Sequence, residues 1–274
     1  GLNPQESIMF APVDEHGVVI ESELYSMINA HKSQLALVFL GGVNYYTGQV
    51  FDIPKITKIA HSNGIMVGFD LAHAAGNIEL KLHEWGVDFA AWCSYKYLNS
   101  GPGGVSSVFI HEKQISKNPF RLSGWWGHKK SNRFELQNKF NPIDTAEGWQ
   151  LSNAPILSMS IYRVSLELFN HVGINKLIAK RIKLSEYLED AIKLCNLNVQ
   201  KNKFKIITPG NAKQRGAQLS IFISQDGNKI FNSLKKNGVY VDWREPNVMR
   251  ISPTPLYNSF EDIAQFYHIL CQCI

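Results

Sequence analysis

Residues 69–104, FDLAHAAGNIELKLHEWGVDFAAWCSYKYLNSGPGG, decide the fold. The stretch holds an acid, Asp70, at the end of one apolar strand pattern and a lysine, Lys96, just past a second. Between them Leu80, Leu82 and Trp85 have the spacing of a short amphipathic helix. A strand–helix–strand unit lays its two parallel strands side by side, so the acid and the lysine are expected to meet at one edge of the sheet.

The same reading extends outward. Upstream, residues 21–31 form a helix with Leu24, Met27 and Ile28 on one face, and the apolar run 35–40 reads as a buried parallel strand. The loop GGVNYYTGQ, residues 41–49, follows that strand, and its two glycines permit close backbone approach while Asn44, Tyr45, Tyr46 and Thr47 offer polar and aromatic contacts. Pro54 opens a helix over 54–62 that Asn63-Gly64 closes before the strand 65–69. Downstream come strand 87–93 and, after Gly101, Gly103 and Gly104, an apolar run 105–110. So tight a connection makes that last strand antiparallel to its predecessor.

Between residues 112 and 150 the periodicity fails, and a long stretch of this kind in a compact protein is usually functional or an interface. Helical patterns return at 156–171 and 176–195. Strands at 204–207, 217–224, 239–243 and 248–252, a helix at 228–237 and a closing helix from 260 complete an α/β pattern. The expected division is a mostly parallel sheet domain over 1–155 and a small C-terminal α/β domain over 156–274.

Composition narrows the function. The 45% hydrophobic content supports a true core, and the net charge of +5 comes without basic runs or basic–aromatic repeats, which argues against a nucleic-acid partner while leaving small anions open. Cys93, Cys195, Cys271 and Cys273 have neither zinc spacing nor the pattern of a secreted disulfide framework, so reduced thiols in a cytoplasmic protein are expected. There is no run long enough to span a bilayer and no signal-peptide pattern, so no membrane partner is expected. The chain opens on Gly1 in a run that reads as the interior of a domain, so a longer parent chain is expected.

Lys96 is flanked by Tyr95 and Tyr97 in a half-buried turn, an expensive place for a free ammonium group. An imine with pyridoxal phosphate resolves the cost, and that chemistry needs an acid to keep the pyridine nitrogen protonated, a role open to Asp70. His73, three residues on, can contact the same ring. Ser94 and Tyr95 bring hydroxyls within reach of a phosphate.

FDLAHAAGN and WCSYKYLNSGPGG, with SGWWGH, LSNAPI and MRISPTPLYNSF, resemble the kynureninase family over nearly the whole chain. The resemblance implies a fold-type I pyridoxal-phosphate enzyme of the class V aminotransferase-like group, α/β in class, lacking its N-terminal part. It implies hydrolysis of L-kynurenine or 3-hydroxykynurenine to an anthranilate and L-alanine by a homodimer with its site at the subunit interface.

The implied roles are Lys96 as Schiff-base lysine and proton shuttle, Asp70 on the pyridinium nitrogen, His73 beside the cofactor, and Tyr95 as phosphate contact and proton donor to the leaving fragment. Trp125 and Asn153, with Ser152 beside it, reach the cofactor and the aryl end of the substrate. Arg250 grips the substrate carboxylate, a task that suits its planar fork. Gly41 departs from the serine of many relatives, and the family's phosphate-binding turn and ring-stacking aromatic would precede Gly1.

Two other readings are weighed. A cysteine desulfurase or selenocysteine lyase of the same superfamily needs a nucleophilic cysteine near the substrate arginine, and residues 245–257 contain none. An interaction protein that kept the fold without catalysis leaves the Asp70 and Lys96 pair unexplained.

Overall fold

Two four-stranded sheets, each with its own apolar core, make up the computed structural model, which describes residues 1–117, 119–198 and 203–274. In chain order the first part contains α1 (Pro4–Ser7), α2 (Glu21–Ala30), β1 (Leu37–Gly41), α3 (Ile53–Ser62), β2 (Met66–Asp70), β3 (Phe89–Cys93), β4 (Ser106–Ile110) and α4 (Glu112–Ile115). Then come α5 (Ile156–Val172), α6 (Ile174–Asn198), β5 (Phe204–Ile206), β6 (Leu219–Ile223), α7 (Gly227–Lys236), β7 (Asp242–Arg244), β8 (Val248–Ile251) and α8 (Phe260–Gln272).

The first sheet runs β1-β2-β3-β4, with β1, β2 and β3 parallel and β4 antiparallel, as the tight glycine loop requires. Asp52 caps α3 by accepting the Lys55 N–H, and Pro54 sits in the first turn where its missing donor is harmless. Ile56 and Ala60 of that helix pack with Val67, Phe69, Val87 and Ala90 of the strands. The second sheet is antiparallel throughout, in the order β5-β6-β8-β7. Its core joins Leu184, Leu188 and Ile192 of α6 to Leu219, Ile221 and Met249 of the strands and Leu270 of α8.

Several expectations are corrected. Leu80 lies in irregular chain and Leu82 and Trp85 in the turn that follows rather than in a helix, although all three side chains pack on the first core. The strand expected at 239–243 shrinks to Asp242–Arg244. The run 35–40 is not buried on both faces. Phe39 is 53% exposed, and Leu37, Met66 and Val108 share its exposure, so one face of the sheet has no covering layer among the described residues. The stretch 112–150 is irregular as expected, apart from residue 118, which lies outside the described residues; it holds only α4 and two short 3₁₀ turns. Among the described residues no helix is long and apolar enough to cross a membrane.

Asn77 joins the two sheets. Its Nδ2 donates to the His73 carbonyl at 2.9 Å, and its Oδ1 accepts the Ala217 N–H at 2.9 Å. Gly216 lets the second chain segment come this close, because a Cβ there would stand 2.3 Å from Asn77 Nδ2. Replacing Asn77 by alanine leaves a buried N–H unpaired, and chemical denaturation should show a loss of about 1–3 kcal/mol. A loss below that range would mean that the contact does not join the two parts.

Candidate active site

The ends of β2 and β3 set the site. Asp70 is the last residue of β2, in register with Gly41 on one side and Ala91 on the other, and its Oδ1 accepts the Ala72 N–H at 2.8 Å. Lys96 follows β3 in a turn closed by the Asn99 N–H on the Lys96 carbonyl and the Ser100 N–H on the Ser94 carbonyl. Asn99, Gly101 and Gly103 all take positive φ in this turn, which is why glycine recurs there. At Gly76 (φ +81) a Cβ would fall 2.8 Å from the Tyr97 carbonyl. That glycine lets the turn carrying His73 lie against the turn carrying Lys96.

Asp70, His73, Lys96 and Arg250 line one open cleft of about 560 Å³. This is the size range of small-molecule sites. Asp70 and Lys96 share it without forming an ion pair, and among the described residues no carboxylate lies within ion-pair distance of Lys96. His73 Nδ1 is buried with no hydrogen-bond partner. Burial, then the charges of Lys96 and Arg250, push its pKa down to about 4, against the opposing pull of Asp70. The ring is therefore neutral at physiological pH, with an unused polar atom.

Arg250 reaches the cleft from the second sheet. Directly across from it on β7 stands Asp242, whose Oδ2 accepts from Arg250 Nε at 2.7 Å and from Arg244 Nε at 2.9 Å. Arg250 Nη1 also donates to the Tyr45 carbonyl at 2.5 Å. Two of its three nitrogens are thus committed to the protein, and its side chain is only 9% exposed. Tyr97 OH meets Ser252 Oγ at 3.3 Å, and burial raises the pKa of that phenol.

The remaining expected residues are not among those lining the cleft, although Tyr95 stays beside Lys96, whose Nζ lies over its ring at 5.8 Å from the centroid. Tyr95 is 50% exposed and does not line the cleft; its phenol pKa is raised by a hydrogen bond with the Cys93 thiol. Ser94 is corrected outright. Its hydroxyl is fully buried, donating to the Val105 carbonyl and paired with Ser100 Oγ, each at 2.6 Å, so it braces the glycine turn and offers nothing to a phosphate.

Trp125 packs edge-on against Phe134, and Gly124 lies so close to Leu151 that a Cβ would come within 2.3 Å of its Cα. This contact sets Trp125 beside the strip with Ser152 and Asn153, where Ser152 Oγ donates to Asn153 Oδ1 at 3.1 Å. All three are exposed and outside the cleft. Sequence reasoning missed Asp242, Arg244 and Gln218 as cleft residues. The alternation Asp-Trp-Arg ahead of Arg250 is the signal that could have found the first two, since residues two apart share a strand face.

The cleft meets a test for pyridoxal phosphate on its own donors: an acid at a strand end, a lysine with no carboxylate partner among the described residues, and a neutral imidazole with an orphaned buried nitrogen.

Comparison with known proteins follows the same direction. The family described as kynureninase C-terminal domain matches residues 177–270. A kynureninase of Flavobacterium psychrophilum is 52% identical over 273 residues, covering 98% of this chain and 64% of its own length. One from Koribacter versatilis is 45% identical over 269 residues, covering 97% and 62%. Kynureninase 1 of Aspergillus oryzae is 44% identical over 284 residues, covering 98% and 58%. The chain thus spans less than two thirds of the length of these curated relatives.

Among solved structures, apo cysteine desulfurase from Thermococcus onnurineus has a TM-score of 0.79 at 17% identity, covering 96% of this chain and 65% of its own. A point mutant of C-DES with glycine covalently linked to its PLP cofactor has a TM-score of 0.75 at 18% identity, covering 92% and 63%. At such identities the likeness is one of fold, the α/β fold type I of pyridoxal-phosphate enzymes.

The His73 shift has a consequence for stability. An unfolded histidine takes up its proton below about 6.5, the folded one only near 4, so this group's contribution is complete above 6.5 and is lost as pH falls toward 4. Imidazole NMR should place the His73 midpoint well below 6.5. His73→Asn should flatten the fall in unfolding free energy over that window, and an unchanged slope would contradict the assignment.

Proposed function

We propose, from a likeness to kynureninases that runs over nearly the whole chain, that its cleft is the pyridoxal-phosphate site of a hydrolase cleaving the Cβ–Cγ bond of L-kynurenine or 3-hydroxykynurenine. The products are anthranilate or 3-hydroxyanthranilate and L-alanine. One observation carries the reading: Asp70, His73 and Lys96 from the first sheet and Arg250 from the second line a single cleft.

When bound, pyridoxal phosphate supplies an electron sink conjugated to the substrate α-carbon. Lys96 is the residue that would hold it covalently, and its Nζ would carry the α-proton. Asp70, with one carboxylate oxygen fixed by the Ala72 N–H, would keep the pyridine nitrogen protonated. His73 stays neutral beside the ring and adds no charge that would compete with that proton.

Arg250 holds the substrate α-carboxylate. The Asp242 and Tyr45 contacts fix its plane in advance, so little side-chain entropy remains to be lost on binding. Tyr95, its phenol kept protonated by the Cys93 contact, is the general acid for the departing fragment and a phosphate ligand.

The reading assigns Trp125, Ser152 and Asn153 to the cofactor and aryl end of a second copy in a homodimer. Their joint exposure outside the chain's own cleft supports that assignment. A cytoplasmic protein and a division at residues 155 and 156 belong to the same reading, the latter supported by the separate cores of the two sheets. The desulfurase alternative lacks its cysteine in residues 245–257.

In the full-length protein, Lys96→Ala should abolish the cofactor's visible absorbance and alanine release from kynurenine; retained turnover would sink the proposal. Arg250→Ala removes a charge-assisted contact of about 1.5–3 kcal/mol, so KM should rise about ten- to hundredfold in steady-state assays. An unchanged KM would place the carboxylate grip elsewhere.

A further inference from the structure

Arg181, in α6, and Arg215, just after the 3₁₀ turn Ala212–Gln214, lie side by side at 5% and 2% exposure. Arg181 Nη1 donates to the Arg215 carbonyl at 2.6 Å. Of the two, Arg215 has a carboxylate partner: Glu189 accepts from Arg215 Nη1 at 2.5 Å and is shared with Lys193 at 2.6 Å. Among the described residues no acid lies within ion-pair distance of Arg181. The Nε atoms of both guanidinium groups are buried without a hydrogen-bond partner. Burial, then the neighbouring Arg215, lower the Arg181 pKa to about 10, which still leaves it a cation at neutral pH. A buried charge of this kind costs several kcal/mol when nothing opposes it.

Both arginines line a cavity of about 380 Å³ that shares no residue with the Asp70–Lys96 cleft. Its walls are of two kinds. Phe51, Ile53, Trp85 and Ile178 are apolar, while Arg181 and Arg215, with Lys213, supply positive charge. The one acid in the lining, Glu79, lies 3.5 Å from Lys81. A guanidinium edge accepts the two oxygens of a carboxylate, and an apolar wall disfavours a hydrated inorganic anion while suiting an organic one.

We propose that this cavity is a binding site for a small organic carboxylate with an apolar body, its carboxylate on Arg181 and Arg215 and its body against Phe51 and Trp85. The walls come from α6 on one side and from the α3 end of the first sheet on the other, so an occupant would tie the two parts of the chain together.

The test uses the full-length protein with benzoate as probe, followed by calorimetric titration, thermal unfolding and crystals soaked in the same acid. Benzoate density in the Arg181 cavity, a rise in melting temperature, and binding about ten- to hundredfold weaker in Arg181→Met are the expected results. Arg181→Lys keeps the charge but loses the fork, so it should fold and still bind more weakly than the parent. Soaked crystals with the cavity free of benzoate would overturn the proposal, as would an Arg181 ion-paired to an acid elsewhere in the full-length chain. Equal affinity in Arg181→Lys and the parent would also overturn it. None of these readouts depends on turnover, so the outcome is separate from that of the kynurenine assay.

Discussion

The loop at residues 41–49 is where the structure depends on a single seam. Its carbonyls accept from the second part of the chain one after another: the Tyr45 carbonyl takes donors from Arg250 and Gln218, and the Tyr46 carbonyl from Ser220 Oγ and Gln218. Thr208 Oγ1 reaches the Thr47 carbonyl in the same way. Within the loop, Asn44 Oδ1 accepts the N–H groups of Tyr46 and Thr47, which turns those carbonyls outward. Buried carbonyls need donors. Here the donors belong to the other sheet, so satisfying the loop and docking the two sheets are one event.

That docking builds the cleft. Asp70, His73 and Lys96 are local to the parallel sheet, but Arg250 arrives only because the seam holds β8 against the loop. Asp242 and the Tyr45 carbonyl then fix the guanidinium at the cleft. Asn77 repeats the arrangement on the other side, tying the His73 turn to Ala217. The low pKa of His73 follows from the same closeness, since Lys96 and Arg250 both face an imidazole that is already desolvated.

Much of this was legible in the sequence. The strand order around Asp70 and Lys96, and the antiparallel β4, follow from two apolar runs and a glycine loop too short for a crossover. The irregular chain and turn that replace the helix expected at Leu80, Leu82 and Trp85 were not legible, because three apolar side chains at helical spacing can pack on a core without a helix as well. The spent hydroxyl of Ser94 was hidden for a different reason: its partners, Ser100 and Val105, become neighbours only once the glycine turn closes. Asp242 was invisible because its significance is cross-strand, and a register between β7 and β8 cannot be counted from one strand alone. The roles of Tyr95, Trp125, Ser152 and Asn153 rest on the resemblance, for within this chain those side chains stand outside the cleft.

The claim at the centre is that Lys96, opposite Asp70, is the covalent anchor of pyridoxal phosphate. Borohydride reduction of the cofactor-loaded full-length protein, followed by peptide mass spectrometry, tests it most directly. The account predicts a pyridoxyl adduct on the peptide containing Lys96 and on no other lysine. An adduct on a different lysine, or none on a protein shown by absorbance to carry the cofactor, would contradict it.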